Sequence, residues 1–411
     1  MNRTLTAFLV LFFAAFSFAE DPQVTIVRAK RMLDVKSGNI INDAVLVIEG
    51  TKIKSVNPNE LPVQANTIDL GNMTVLPGLI DMHTHLTYDA ADFRLDVGKQ
   101  PGAATAGRAL LGSKFAKITL MSGFTTVRDL GACCYSDITL MRAIEKGIVE
   151  GPDIFPSGHI IAITGGACDQ TSVNPDVRKA GPEEGVADTP EEIVEAVRYQ
   201  VKYGAKVIKT CADNKQFNEE ELKIMADAAH RRGVKLAVHV WETDSISAAV
   251  NAGADSIEHV SLMNDEIITN MIKKGTYLVP TMYTVDGIDF SKLKPEVKAL
   301  LEKEMPEYEK SLRNSIKRGV KIAFGSDTGQ IDHGENAKEF SSLVKYGMTP
   351  LQAIQSATIH AADLLGVKDR GSLEAGLRAD VIAVKGNPLE DVMTLENVQF
   401  VMKLGTIYKK P

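Results

Sequence analysis

Eight short apolar runs, separated by stretches of helical periodicity, constrain this chain more than any other feature. They are Val75–Ile80, Thr125–Val127, Asp153–Phe155, Lys206–Ile208, Leu236–Val238, Ser256–Ile257, Tyr277–Val279 and Ile322–Phe324. Strand and helix in strict alternation is the pattern of a parallel sheet covered by helices. Eight such units in series predict an α/β fold of the (β/α)8, or TIM-barrel, type. A doubly wound open sheet is the competing architecture, but no Gly-rich phosphate turn supports it. Two of the intervening helices carry their own start signals. Thr189-Pro190 followed by Glu191-Glu192 suits a helix N-terminus, and its Ile193, Val194 and Val197 fall at helical spacing. Asn218 with Glu221 three residues later is close to a capping box, and Gly233 closes that helix.

The two ends of the chain read differently. Residues 22–76 and 366–411 alternate apolar and polar residues between Gly, Asn and Pro breaks, as in Ala44-Val45-Leu46-Val47-Ile48 and Asp380-Val381-Ile382-Ala383-Val384. Neither piece is long enough for a robust core by itself. A small composite β-sandwich domain built from both ends is predicted, with the barrel over residues 77–365. The extra length from Asp286 to Pro306, rich in Lys and Glu, reads as a solvated helix or a substrate lid.

Residues 1–19 have a basic start, an apolar run from Leu5 to Phe16 and a Ser17-Phe18-Ala19 ending, which is the pattern of a secretory signal peptide. A secreted protein is expected, periplasmic in a Gram-negative host, with no membrane association after cleavage. The composition, 44% hydrophobic and 24% charged, excludes a disordered chain or a multi-span membrane protein. A net charge of −7 without any Lys/Arg block argues against nucleic acid as a partner. A homo-oligomer is left open. With no C-x-x-C pair among Cys133, Cys134, Cys168 and Cys211, a thiolate zinc site is not expected. Export permits disulfides, and Cys133 or Cys134 bridged to Cys168 is one expectation, unpaired thiols the other.

Active sites of such barrels are built at the C-terminal ends of the strands. The first run leads into Asp81-Met82-His83-Thr84-His85, where residues two apart face the same side. Later runs lead into Lys209, His239, His259 and Asp327. Convergent imidazoles with a carboxylate suit a divalent transition metal, zinc above all. A lysine flanked by Val, Ile and Thr on a buried strand is expensive as a bare ammonium, so it must be neutral, paired or modified. Four histidines, one lysine and one aspartate at the same end of five strands make the metal site the working hypothesis.

These segments carry a resemblance. Leu76-Pro77-Gly78-Leu79-Ile80-Asp81-Met82-His83-Thr84-His85 resembles the opening signature of the amidohydrolase superfamily. Ala252-Gly253-Ala254-Asp255-Ser256-Ile257-Glu258-His259, Gly325-Ser326-Asp327-Thr328 and Gly371-Ser372-Leu373-Glu374-Ala375-Gly376-Leu377-Arg378-Ala379-Asp380-Val381 are similar to its later motifs. The nearest branch resembles the imidazolonepropionase-like group, with its Xaa-Pro and Xaa-Arg/Lys dipeptidases and ochratoxinase-like amide hydrolases. The resemblance implies a binuclear metal centre with two divalent ions, held by His83, His85 and Asp327 for one and by His239 and His259 for the other. It implies that Lys209 is N6-carboxylated and bridges them, that a bridging hydroxide attacks the substrate amide, and that Asp327 serves as general base and acid.

Substrate contacts implied or suggested are His159, Trp241, Tyr283, Arg128 and His333. Arg128 could meet a substrate carboxylate bidentately, or pair with Asp129 or another acid in the wall. The chain departs from its relatives at Thr164-Gly165-Gly166-Ala167-Cys168-Asp169, where a family histidine is missing, and at Trp241, where relatives often carry Tyr. The function that follows is hydrolysis of the amide bond of a small substrate, a dipeptide or N-acyl amino acid. A cyclic-amide or lactone hydrolase on the same metals is the alternative, and a non-catalytic barrel binding protein is the alternative of another class.

Overall fold

The computed structural model describes residues 24–88, 103–169, 179–260 and 262–411. The signal-peptide segment lies outside them. The N-terminal part forms β1 (Val24–Leu33), β2 (Ile40–Glu49), β3 (Lys52–Val56), β4 (Asn66–Asp69) and β5 (Met73–Pro77). The middle of the chain supplies β6 (Leu79–Thr84), β7 (Phe124–Asp129), β8 (Asp153–Pro156), β9 (Val207–Cys211), β10 (Lys235–His239), β11 (Ser256–Glu258) and β12 (Tyr277–Val279). The C-terminal end adds β13 (Val381–Lys385), β14 (Val398–Lys403) and β15 (Thr406–Lys409).

Both chain ends enter one sheet. Its order is β15-β14-β13-β5-β1-β2-β3, with β4 also paired to β1. The hinge of this arrangement is β5, parallel to β1 on one side and antiparallel to β13 on the other. Leu46, Ile48, Ile53, Val75, Val381, Phe400 and Met402 share its buried core. This sheet answers the shortage of core that each end alone would face.

The sequence reading of the first barrel strand as Val75–Ile80 needs correction. Val75 belongs to β5 of the composite sheet, and the barrel begins afresh at Leu79. The break is Gly78, where a Cβ would lie 2.2 Å from the Thr125 hydroxyl. A continuous apolar run conceals such a break because it reads alike on both sides.

The barrel strands fall into two parallel groups, β6-β7-β8 and β9-β10-β11-β12. Backbone hydrogen bonds join them into a ring. Lys206 N–H donates to Pro156 O (2.7 Å) and Ile161 N–H to Lys209 O (2.8 Å) at one seam. At the other seam Ile322 bridges Leu278 in parallel, and Met82 N–H donates to Phe324 O (2.8 Å). The segment around 322–328 therefore occupies the eighth strand position. Asp81 pins it in place, accepting from Ser326 Oγ (2.5 Å), Ser326 N–H (3.1 Å) and Asn336 Nδ2 (2.8 Å).

The helices between strands begin as their sequences direct. Thr189 caps Pro190–Tyr203 by accepting from Glu192 N–H. Asn218 and Glu221 form the reciprocal capping box of Glu219–Arg231. The long insertion is a helix over Pro295–Arg318, exposed along most of its N-terminal half. His230 is held by Asp255 at 2.7 Å on the barrel's outer layer. Among the described residues no helix is long and apolar enough to cross a membrane.

Candidate metal centre

His83, at the end of β6, and His85 just beyond it face Asp327, on the eighth segment. His83 Nε2 is 3.6 Å and His85 Nε2 3.3 Å from Asp327 Oδ1. One ligand atom from each of these residues lies within 4.8 Å of the others, a group able to hold a metal ion. His259 extends the cluster, its ring centroid 4.8 Å from that of His83. His239 follows at 4.4 Å from His259. Thus all four strand-end histidines form one contiguous chain of imidazoles.

Each imidazole is oriented from outside. His83 Nδ1 meets Glu258 Oε2 at 2.9 Å, and His85 Nδ1 meets Gly131 O at 3.3 Å. His239 Nε2 lies 2.7 Å from Asp213 Oδ2, and His259 Nδ1 2.8 Å from Thr281 Oγ1. A partner on one ring nitrogen fixes tautomer and direction, the support that metal-binding histidines need. Asp213, Glu258 and Thr281 were not singled out from sequence. The only signal for Glu258 was its place beside His259 in the Ser256-Ile257-Glu258-His259 string, and Asp213 and Thr281 gave none.

The backbone bends to make this arrangement. His259, Thr281 and Asp327 have φ of 75°, 49° and 58°, the left-handed region that non-glycine residues avoid. Such conformations cost about 1–3 kcal/mol each and cluster at functional sites.

Electrostatics sort the groups into donors and acceptors. Burial lowers the His83 pKa to about 4, against the pull of Asp327 and Glu258. His259 is held well below its ordinary value, first by burial and then by neighbouring His239 and His83. Both imidazoles are therefore neutral near pH 7, the form that ligates. Burial opposes the charge of Asp327, but His83 and His85 outweigh it and keep the carboxyl ionised.

Lys209 is 2% exposed on β9. Its Nζ has no hydrogen-bond partner. Burial pushes its pKa down to about 8, despite the nearby Glu258 and Asp327 carboxylates. This amine is buried and unpartnered beside the imidazole cluster, and Asp327 Oδ1 likewise lacks a hydrogen-bond partner. A carbamate on this nitrogen, bound to cations, would remove that cost.

The structure settles where the remaining residues named from sequence sit. Trp241 stacks on His259 at 5.1 Å, and its Nε1 lies 3.0 Å from His239 Nε2, the nitrogen that also faces Asp213. Tyr308 of the long insertion meets the same indole edge-on at 5.9 Å. His159 is packed against Tyr135, ring centroids 4.7 Å apart. Tyr283 opens a short helix, its backbone N–H donating to Glu339. His333 stacks on Phe115 at 4.0 Å and contacts Tyr88 O at 2.8 Å.

Arg128 lies buried in the barrel wall. It is 2% exposed. Its Nε donates to Met82 O (2.6 Å), Nη1 to Ser256 Oγ (3.0 Å) and Nη2 to Glu258 Oε1 (2.7 Å). Of the two alternatives drawn from sequence, pairing with an acid holds, and the acid is Glu258 rather than Asp129. Burial pushes Glu258 upward, but Arg128 and His83 outweigh it and hold the carboxyl at about 2.

The disulfide expectation is also corrected. Cys168 is bonded to Cys211, with Cα atoms 6.0 Å apart, and Cys133 and Cys134 are free. Cys211 lies two residues beyond Lys209 on β9, beside the segment after β8, where Ile161 bridges Thr210, a proximity that sequence spacing does not report.

Comparison with known proteins agrees with this fold and site. The amidohydrolase family model matches residues 74–408, and the chain belongs to that family. Ochratoxinase from Aspergillus niger is 33% identical over 434 aligned positions, covering 95% of this chain and 88% of the relative. The crystal structure of that ochratoxinase superimposes with a TM-score of 0.81 at 30% identity, over 95% of this chain and 97% of the other. A Xaa-Pro dipeptidase with methionine bound in its active site superimposes with a TM-score of 0.86 at 37% identity, over 94% and 100%. The protein is a hydrolase of C–N bonds with the amidohydrolase barrel and β-sandwich, and its His-His-Asp cluster is compatible with the divalent metals that the family generally uses.

Proposed function

We propose that the protein is a binuclear metal-dependent amidohydrolase acting on dipeptides or N-acyl amino acids. The observation that carries this is the orphaned Lys209 Nζ beside four neutral or partnered imidazoles and the Asp327 carboxylate. His83, His85 and Asp327 would hold one ion, His239 and His259 the other, and carboxylated Lys209 would join them. Two divalent ions, for which zinc suits this donor set best, supply an activated water and polarise the scissile carbonyl. The desolvation that lowers Lys209 favours the neutral amine, the form that combines with CO2.

Asp327, held ionised beside His85, would accept a proton from the attacking water and pass it to the leaving amine. Glu258 and Asp213 hold His83 and His239 so that they do not turn during the reaction. Trp241 and Tyr308 supply an aromatic wall beside His259, suited to the side chain or acyl group of the substrate. His159 is a further candidate contact. Similarity to a Xaa-Pro dipeptidase and to ochratoxinase supports an amide flanked by a carboxylate-bearing product.

The test is a panel of Xaa-Pro, Xaa-Arg and Xaa-Lys dipeptides and N-acyl amino acids, given to zinc-loaded protein with metal content measured in parallel. About two zinc ions per chain with turnover of at least one class is expected. Two bound ions with no hydrolysis across the panel overturns the substrate assignment, and failure to bind metal overturns the centre. Mass spectrometry of gently handled protein is expected to show the extra carboxyl on Lys209. We also infer export, from the pattern of residues 1–19. A retained Met1 in the cytoplasmic fraction overturns it.

A further inference from the structure

Outside the hydrolytic centre, the turn after β7 carries two free thiols on adjacent residues, Cys133 and Cys134. Their Sγ atoms are 2.8 Å apart. That is longer than the ~2.05 Å of a disulfide and well inside ordinary sulfur–sulfur contact. The turn holds them there with a left-handed backbone at Cys134 (φ 60°) and Tyr135 (φ 54°). Cys134 is exposed and Cys133 half-buried, so the two are not equivalent towards a reagent. Ser136 Oγ donates to Cys133 O at 2.9 Å and fixes the turn from below.

We propose that Cys133 and Cys134 are a thiol–disulfide exchange site, with Cys134 attacking and Cys133 resolving. The co-reactant is a low-molecular-weight disulfide. The Cys134 thiolate attacks one sulfur of that disulfide, expelling one thiolate and leaving a mixed disulfide. Cys133, losing its proton to solvent, then displaces the second thiolate from Cys134 and closes the Cys133–Cys134 bond. The pair gives up two electrons and two protons, and the co-reactant is reduced to two thiols.

Local chemistry assigns the order. The hydrogen bond from Cys133 lowers the Cys134 pKa to about 6, against burial, with Thr105 and Arg108 adding to the effect. The same contact, with burial, pushes Cys133 upward. The thiolate is the nucleophile, so the exposed Cys134 leads. A disulfide between neighbours is short of the usual Cα separation of about 4.4–6.8 Å, since adjacent Cα atoms sit ~3.8 Å apart. It is therefore readily reduced, and the site is reversible. Cys168–Cys211, at 6.0 Å, has an ordinary Cα separation and is a staple instead.

The proposal is independent of the hydrolytic reading, and its test does not use activity. Full-length protein with Cys168–Cys211 intact is treated with oxidised glutathione, quenched by alkylation and digested. The peptide holding Cys133 and Cys134 is expected to lose two hydrogens and to resist alkylation, and mild reductant is expected to reverse this before Cys168–Cys211 opens. Cys133→Ser is expected to trap glutathione on Cys134. Cys134→Ser is expected to leave Cys133 reacting at least tenfold more slowly. Two alkylatable thiols in the treated wild type overturn the site. Equal rates in the two single variants overturn the assigned order.

Discussion

Replacing Arg128 with Met tests how the imidazole cluster is held. The guanidinium spans β6, β7 and β11, and Glu258 is 0% exposed beneath it. Removing Arg128 leaves the Glu258 carboxylate buried with Ser256 Oγ (2.5 Å) and His83 Nδ1 (2.9 Å) as its named partners. Breaking a buried pair this way costs about 3–5 kcal/mol, mostly for the stranded charge. Glu258→Gln strands Arg128 instead and is expected to fall in the same range. The double variant strands neither charge and keeps a side-chain oxygen for His83. The two single effects should therefore exceed the double by roughly 2–3 kcal/mol, a coupling within the range of contacting residues. The single tryptophan, Trp241, stacks on His259 and so reports the site directly. Urea unfolding followed by its fluorescence measures each variant. Competition with a chelator measures zinc affinity, which should fall about 10–100-fold in Arg128→Met as Glu258, the partner of His83, loses its own anchor. Additive costs within about 0.5 kcal/mol would refute the paired-charge account.

Three further perturbations address other levels of the molecule. Asp327→Asn keeps an oxygen for the centre but removes the proton acceptor, so kcat should drop about 10²–10⁴-fold with metal content retained; a loss under tenfold in steady-state assays contradicts the assigned role. Asp153 clamps the barrel to the C-terminal segment through Lys403 (2.8 Å), Arg378 (2.6 Å) and Arg370 (3.0 Å). Burial opposes its ionisation, but these cations outweigh it and hold the carboxyl below its ordinary value. The clamp is then fully present above about pH 4 and lost as pH falls through the lower folded value, so Asp153→Asn should cost about 2–4 kcal/mol at pH 7 and nothing once wild-type Asp153 is protonated. Urea titrations at pH 7 and pH 3 compare the two proteins, and an equal deficit at both, or none at pH 7, goes against the clamp. Cys168–Cys211 closes a loop of 43 residues. Removing it in the Cys168→Ser/Cys211→Ser double variant should cost up to about 4 kcal/mol on chain entropy, and an unchanged urea midpoint contradicts that.

What the sequence made legible follows from periodicity. Strand-end residues of a barrel converge by topology, so His83, His85, Lys209, His239, His259 and Asp327 could be placed at one mouth without coordinates. Helix starts at Thr189 and Asn218 were equally plain, because a cap is a local interaction among four residues. What stayed hidden was pairing across the barrel. Arg128 sits in a Thr-Val-Arg-Asp string whose period says only that its side chain points inward or outward, and the neighbour it meets, Glu258, is brought near by closure of the ring. Asp213 against His239 and Cys168 against Cys211 are contacts between neighbouring βα units, equally absent from sequence spacing. Gly78 shows the converse, a local feature read wrongly, since its requirement is the approach of Thr125 from the next strand. Hydrophobic pattern therefore located the candidate groups, while the contacts that set their protonation, tautomer and rigidity are products of tertiary geometry. Those contacts are also where a relative with the same ligands can differ in rate or substrate. Here Trp241 contacts His239 and stacks on His259, so a change at that position would alter the aromatic wall and the centre together.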